Sequence, residues 1–154
     1  MLKQSVFLLL SAAYVFCGGT LGNIKGQRKR GYPEVITRLP EADIQFEGAK
    51  GWILQADESQ LVFFEFEADA NLPYHSHGYP QWGIVIDGKM ELTINGKPRI
   101  CKKGGDYVIP AGARHCARFL SRTRVIDFFS EKNRYKPKPT RKSTVISHST
   151  RAIE

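Results

Sequence analysis

The sequence predicts an all-β domain, an antiparallel barrel or jelly roll, and three observations carry that prediction. Between residues 51 and 130 apolar side chains recur with a period of two, turn residues return every few positions, and no long helical pattern interrupts them. A chain of 154 residues has length for one such core and too little for two well-buried ones. Its 42% hydrophobic and 25% charged residues are those of a soluble globular protein, which excludes a wholly disordered chain, a collagen-like repeat or a multi-span membrane protein. Three cysteines are too few for a disulfide scaffold.

Taken in order, residues 1–19 hold one basic residue, Lys3, then an uncharged run from Val6 to Phe16, then Cys17, Gly18 and Gly19. Eleven residues are too few to span a bilayer, for which about 20 are needed, but they match the apolar region of a secretory signal. Cleavage after Gly19 would put Cys17 and Gly19 at the two small-residue positions, and the protein would then be secreted or periplasmic. The alternative is an apolar segment retained on a cytoplasmic protein. Residues 20–31 are basic and glycine-rich with no apolar period, which reads as a linker. The barrel is expected over residues 32–130.

Within it, residues 60–68, 81–87, 89–94, 98–101, 107–109, 114–119 and 123–129 read as short strands. Phe64 and Phe66 alternate with Glu65 and Glu67, so the phenyl rings should face the interior. Asp87-Gly88 and Asn95-Gly96 read as hairpin turns, and Lys102 to Gly105 and Pro110 to Gly112 as the next two bends. In the strand 81–87, Gln81, Gly83 and Val85 share one face while Trp82, Ile84 and Ile86 share the other, and both faces are largely apolar. Such a strand needs cover on its outer side, from the N-terminal segment or from a second subunit, and a homodimer is the favoured expectation. Residues 131–154 are basic, with Lys136-Pro137-Lys138-Pro139 and then a Ser/Thr-rich stretch, and are expected to form a mobile tail.

The net charge of +8 resembles a nucleic-acid footprint until it is divided by region. Residues 32–130 hold 11 Lys and Arg against 13 Asp and Glu, a net of −2, so the positive excess belongs to the ends. A nucleic-acid partner is therefore not expected.

Three of the four histidines fall at His75, His77 and His115. His75 and His77 are two apart and would share one face of an extended strand. Gln81 follows four residues later, across a bend at Gly78 and Pro80, and can bring a carbonyl oxygen to the same face. His115 follows the turn at Pro110-Ala111-Gly112, which would aim the next strand into the barrel. Neutral imidazoles are the commonest ligands of transition metals, and three of them with one oxygen leave room for water or substrate. For a lone His-x-His the plainer reading is a surface or core histidine. Cys116 should point away from the site as a packed thiol, and whether Cys101 and Cys116 pair is left open.

The combined string, His75-x-His77-x3-Gln81-x6-Gly88 followed by Gly104-x5-Pro110-x-Gly112-x2-His115, closely resembles the two sequence motifs of the cupin family. The family's first motif has a glutamate where Gln81 stands and a leading glycine where Asp69 stands, and its second ends in an asparagine where Phe119 stands. The resemblance runs from residue 62 to 129. It implies a small double-stranded β-helix, usually dimeric, with a divalent metal (Mn, Fe, Ni, Cu or Zn) held by the residues matching His75, His77, Gln81 and His115. An amide is a neutral, weaker donor than a carboxylate and does not titrate, so the metal would keep its full charge and act as a better Lewis acid toward an anionic substrate. In carrying glutamine here the chain is similar to cupins that act on unsaturated uronates.

Two functions follow as expectations. One is a metal-dependent enzyme acting on a small oxygenated or carboxylate-bearing molecule, by dioxygen insertion or Lewis-acid isomerisation. The other is a non-catalytic cupin that binds a small sugar or uronate. A general acid or base beside the metal would separate them; Tyr79, Tyr107 and Asp127 are the candidates, and no motif assigns a catalytic residue.

Overall fold

Alternation of side chains makes residues 60–66 a strand whose inner face carries Val62, Phe64 and Phe66, all buried. The same rule, repeated along the chain, builds nine strands in the computed structural model, which describes residues 31–139. A single helical turn, α1 (Glu34–Thr37), precedes β1 (Ala49–Gln55), β2 (Gln60–Phe66), β3 (Asn71–His75), β4 (Gln81–Asp87) and β5 (Lys89–Ile94). After them come β6 (Lys97–Lys102), β7 (Asp106–Ile109), β8 (His115–Phe119) and β9 (Thr123–Phe129). They form two antiparallel sheets, ordered β1-β2-β9-β4-β7 and β3-β8-β5-β6. The core lies between them, with Phe66 of the first sheet stacked on Phe119 of the second at 3.8 Å between ring centroids. Burying each such side chain contributes about 1.5–3 kcal/mol. The predicted all-β jelly roll is the observed architecture.

Two strands were not among those expected. β1 carries Lys50, Gly51 and Gln55, which blur its period, and β3 contains Asn71 and Pro73. Both are edge strands, where a proline and a weak alternation are tolerated. Asn95-Gly96 is a hairpin turn as expected, with φ of 49° and 76° between β5 and β6. Asp87-Gly88 is not. It carries the chain from one sheet to the other, since β4 and β5 do not pair. Gly88 takes φ +85° there, and a Cβ on it would sit 2.3 Å from the Arg122 carbonyl oxygen.

The expectation of a mobile tail from residue 131 is corrected over its first residues. The Tyr135 ring packs against Phe64 and Phe129, with centroids 5.4 and 5.8 Å away. Asp43 N–H donates to the Lys136 carbonyl at 2.8 Å, and Lys138 N–H donates to Glu41 at 2.8 Å. One aromatic residue in a polar, basic run holds residues 131–138 to the barrel, a detail that average composition conceals. The candidate signal (1–19), nearly all of the linker (20–31) and the tail beyond residue 139 lie outside the described residues.

On the outer face of the larger sheet, Tyr32 covers Trp52 and Phe63, and its hydroxyl donates to the Val125 carbonyl at 2.8 Å. That cover stops short of β4 and β7. Among the described residues Trp82, Ile84, Val108 and Phe128 stay exposed there, with the Trp82 and Phe128 rings 5.7 Å apart. Cys101 is buried in the core, Cys116 is half-buried, and both are free thiols. No helix among the described residues is long and apolar enough to cross a membrane.

Candidate metal centre

β3 and β8 pair so that His75 and His115 are direct cross-strand partners, which sets their rings 4.1 Å apart. His77 reaches the same place differently from expectation. The strand ends at His75, so a bend rather than a shared strand face delivers it, 6.1 Å from the His75 ring and 5.0 Å from the His115 ring. Gly112 N–H donates to the His77 carbonyl at 2.8 Å, tying that bend to the Pro110-Ala111-Gly112 turn. The three imidazoles offer ligand atoms that all lie within 4.8 Å of one another. Gln81 opens β4 beside them, buried, with Oε1 3.0 Å from His77 Nε2.

Each imidazole is anchored at Nδ1 by a backbone carbonyl two residues away: His75 to Pro73 at 2.9 Å, His77 to Tyr79 at 2.6 Å, His115 to Ala113 at 2.9 Å. A carbonyl only accepts, so Nδ1 carries the proton and Nε2 presents a lone pair. His77 Nε2 and Gln81 Oε1 are then two acceptors face to face, an arrangement that a cation between them resolves. Burial lowers the pKa of His75 and pushes that of His115 down to about 4, with the neighbouring imidazoles and Arg134 acting in the same direction. Both rings are neutral near pH 7, the state a metal requires. Three neutral imidazoles and an amide oxygen are a donor set compatible with a divalent transition metal.

On the far side of Gln81, the Tyr107 hydroxyl donates to Asp127 Oδ1 at 2.6 Å. Both residues are buried, and burial raises the Asp127 pKa to about 7 against the opposing effect of the Tyr107 hydrogen bond and of the nearby Gln81 amide. Of the candidate acids and bases, Tyr107 and Asp127 line the central cavity with His75, Gln81 and His115, whereas the Tyr79 side chain is exposed and contributes only its carbonyl. The free space of that cavity is about 30 Å³, on the scale of a water molecule or two. A wider groove opens beside His75, lined by Asp43, Phe46, Leu72, Arg134 and Tyr135. Sequence reasoning placed Arg134 and Tyr135 in a tail and missed them; the lone aromatic of that basic run was the available signal.

Residues 62–129 match the family model for the cupin domain. They are a cupin domain. All four residues of the cluster lie inside the matched stretch. Over 64 residues the chain is 44% identical to the quercetin 2,3-dioxygenase of Bacillus subtilis, an alignment covering 40% of this chain and 19% of that enzyme. An RmlC-like cupin from Shewanella frigidimarina superposes with a TM-score of 0.59 at 23% identity, over 68% of this chain and 91% of the other, a likeness of fold. KdgF from Halomonas sp. superposes with a TM-score of 0.56 at 27% identity, over 60% and 86% of the two chains.

Proposed function

We propose that His75, His77, His115 and Gln81 hold a divalent transition metal, and that the cupin domain uses it to act on a small oxygenated, carboxylate-bearing molecule. The observation that carries this reading is the anchoring of all three imidazoles at Nδ1, which leaves their Nε2 lone pairs free beside the Gln81 oxygen. When bound, the metal would supply Lewis acidity for isomerisation or a binding site for dioxygen. The central cavity is too small for an organic substrate, so the groove beside His75 is the approach, and Arg134 and Lys136, against the one carboxylate of Asp43, give it a net positive lining suited to a carboxylate. Asp127, with its pKa near 7, is a carboxyl able to take up or release a proton near Gln81, which favours an enzyme over a passive binder. The relation to a dioxygenase, over 19% of that enzyme's length, supports oxygen chemistry as one of the two reactions. The open apolar stripe around Trp82 fits a second copy of the chain.

The test is metal analysis of the purified protein and of His77→Ala and His115→Ala. Both variants should fold and lose bound metal; unchanged metal content per chain in both would remove the site assignment. A thermal-shift screen of small carboxylates against the loaded protein then identifies the ligand class. Arg134→Gln should weaken carboxylates and leave their neutral amides unaffected.

A further inference from the structure

Position 81 carries an amide between two demanding neighbours, the imidazole of His77 and the buried carboxyl of Asp127. β4 lies between β7 and β9, and its third residue, Gly83, is paired with Tyr107 on one side and Asp127 on the other. A Cβ on Gly83 would sit 2.1 Å from Tyr107 Cζ and 2.3 Å from Asp127 Oδ1. The two side chains therefore meet over bare backbone, and the Tyr107 hydroxyl holds one carboxyl oxygen at 2.6 Å. No salt bridge reaches Asp127 among the described residues; Tyr107 donates to it, and Gln81, two residues before Gly83 on the same face of β4, lines the same cavity. A buried carboxyl needs donors. The Gln81 Nε2 protons can satisfy it, and once they do, planarity of the amide turns Oε1 toward His77, where it is found 3.0 Å from Nε2.

We propose that Asp127, steadied by Tyr107 across Gly83, is a positioning residue that makes position 81 an amide and turns its one oxygen toward the three imidazoles. A glutamate at 81 would set two buried carboxyl groups against each other. An asparagine at 127 would keep its oxygen on the Tyr107 hydroxyl, present its own N–H to position 81, and so flip the Gln81 amide until its nitrogen faced the histidines. Glutamate at 81 with asparagine at 127 forms a matched pair again, with the donor and acceptor exchanged. The pairing stands on the strand register, the close approach over Gly83 and the shared cavity, and its consequence for metal affinity rests on the metal reading above.

The test is a cycle of four full-length proteins: wild type, Gln81→Glu, Asp127→Asn and the double variant. In chelator-treated samples Gln81→Glu should melt below wild type, and adding Asp127→Asn should raise the melting temperature again. Affinity for Ni²⁺, read by competition with a chromophoric chelator, should fall 10–100-fold on Asp127→Asn in the glutamine background and rise on the same change in the glutamate background. Equal effects of Asp127→Asn in both backgrounds, in the metal-free melts, would overturn the proposal even if wild type binds Ni²⁺. A reversed sign in those melts, with no Ni²⁺ bound by wild type, would uphold the pairing and discard the metal reading. Should Gln81→Glu not fold, folding of the double variant supports the proposal. If both fail to fold, the decision passes to hydrogen exchange of the Gln81 side-chain amide by NMR: exchange speeded by Asp127→Asn upholds the proposal, and unchanged exchange overturns it.

Discussion

Replacing Gly83 with alanine adds one methyl group at the point where three strands bring Gln81, Tyr107 and Asp127 together. On the present backbone that carbon would lie 2.1 Å from Tyr107 Cζ and 2.3 Å from Asp127 Oδ1, against an ordinary carbon contact of about 3.5–4.0 Å. Each group must retreat by more than an ångström, and neither is the end of a long flexible chain: one is a buried ring carbon, the other a buried carboxyl on a single methylene, and a hydrogen bond joins them. Forcing a methylene into a packed core costs about 1–3 kcal/mol. Parting the 2.6 Å bond leaves a buried carboxyl short of a donor, which costs about 1–3 kcal/mol more. Alanine recovers about 0.5–1 kcal/mol of strand propensity over glycine. The net loss is about 1–5 kcal/mol, a large part of the 5–15 kcal/mol typical of a domain. Urea denaturation of chelator-treated protein, followed by circular dichroism, measures it directly. A difference from wild type below about 0.5 kcal/mol, or a gain, would show that Tyr107 and Asp127 do not meet over this residue.

The pH response comes from two opposed groups. His115 has its pKa lowered to about 4 in the fold against 6.5 when unfolded, so its contribution is whole above pH 6.5 and is lost as pH falls toward 4; Asp127, raised to about 7 from 3.8, instead removes stability as pH rises through that range. Chelator-treated Asp127→Asn should therefore melt progressively lower from pH 7 to pH 4.5 while wild type changes less, and parallel curves for the two would contradict the assignment. Tyr135→Ala, which vacates the contacts with Phe64 and Phe129, should cost about 3 kcal/mol in urea denaturation and free residues 131–138 to rapid hydrogen exchange. Trp82→Glu, on the exposed stripe, should leave the melting temperature within a few degrees and yield a monomer in sedimentation; wild type sedimenting as a monomer would refute pairing through that face.

Much of this was legible along the chain, and the residues show why some was not. His75, His77, Gln81 and His115 announce themselves because their spacing is local to two turns, and β4, β5 and β9 because β-branched and apolar residues fill them between turn residues. β1 and β3 are edge strands paired on one side, where Gly51 and Pro73 cost little and leave no periodic trace. The meeting of Tyr107 with Asp127 depends on which strands flank β4 and on Gly83 lacking a side chain, neither of which spacing encodes. Asp87-Gly88 has the composition of a hairpin turn, and only the division into two sheets makes it a crossing. Composition judged residues 131–138 by their charge and proline, whereas one ring, that of Tyr135, decides where they lie.

The groove beside His75 has walls from segments far apart in the sequence, Asp43 to Phe46 on one side and Arg134 to Lys136 on the other, bonded to each other by Asp43 and Lys136. Protein synthesis meets these parts in a fixed order. A nascent chain contains all three histidines once residue 115 is added, but the second wall exists only after residue 136, about 1–4 s later at about 5–20 residues per second. During that interval the imidazoles are present without the wall that would select what approaches them. Residues 134–136, which follow every strand of the barrel, are what close the second side of the entrance.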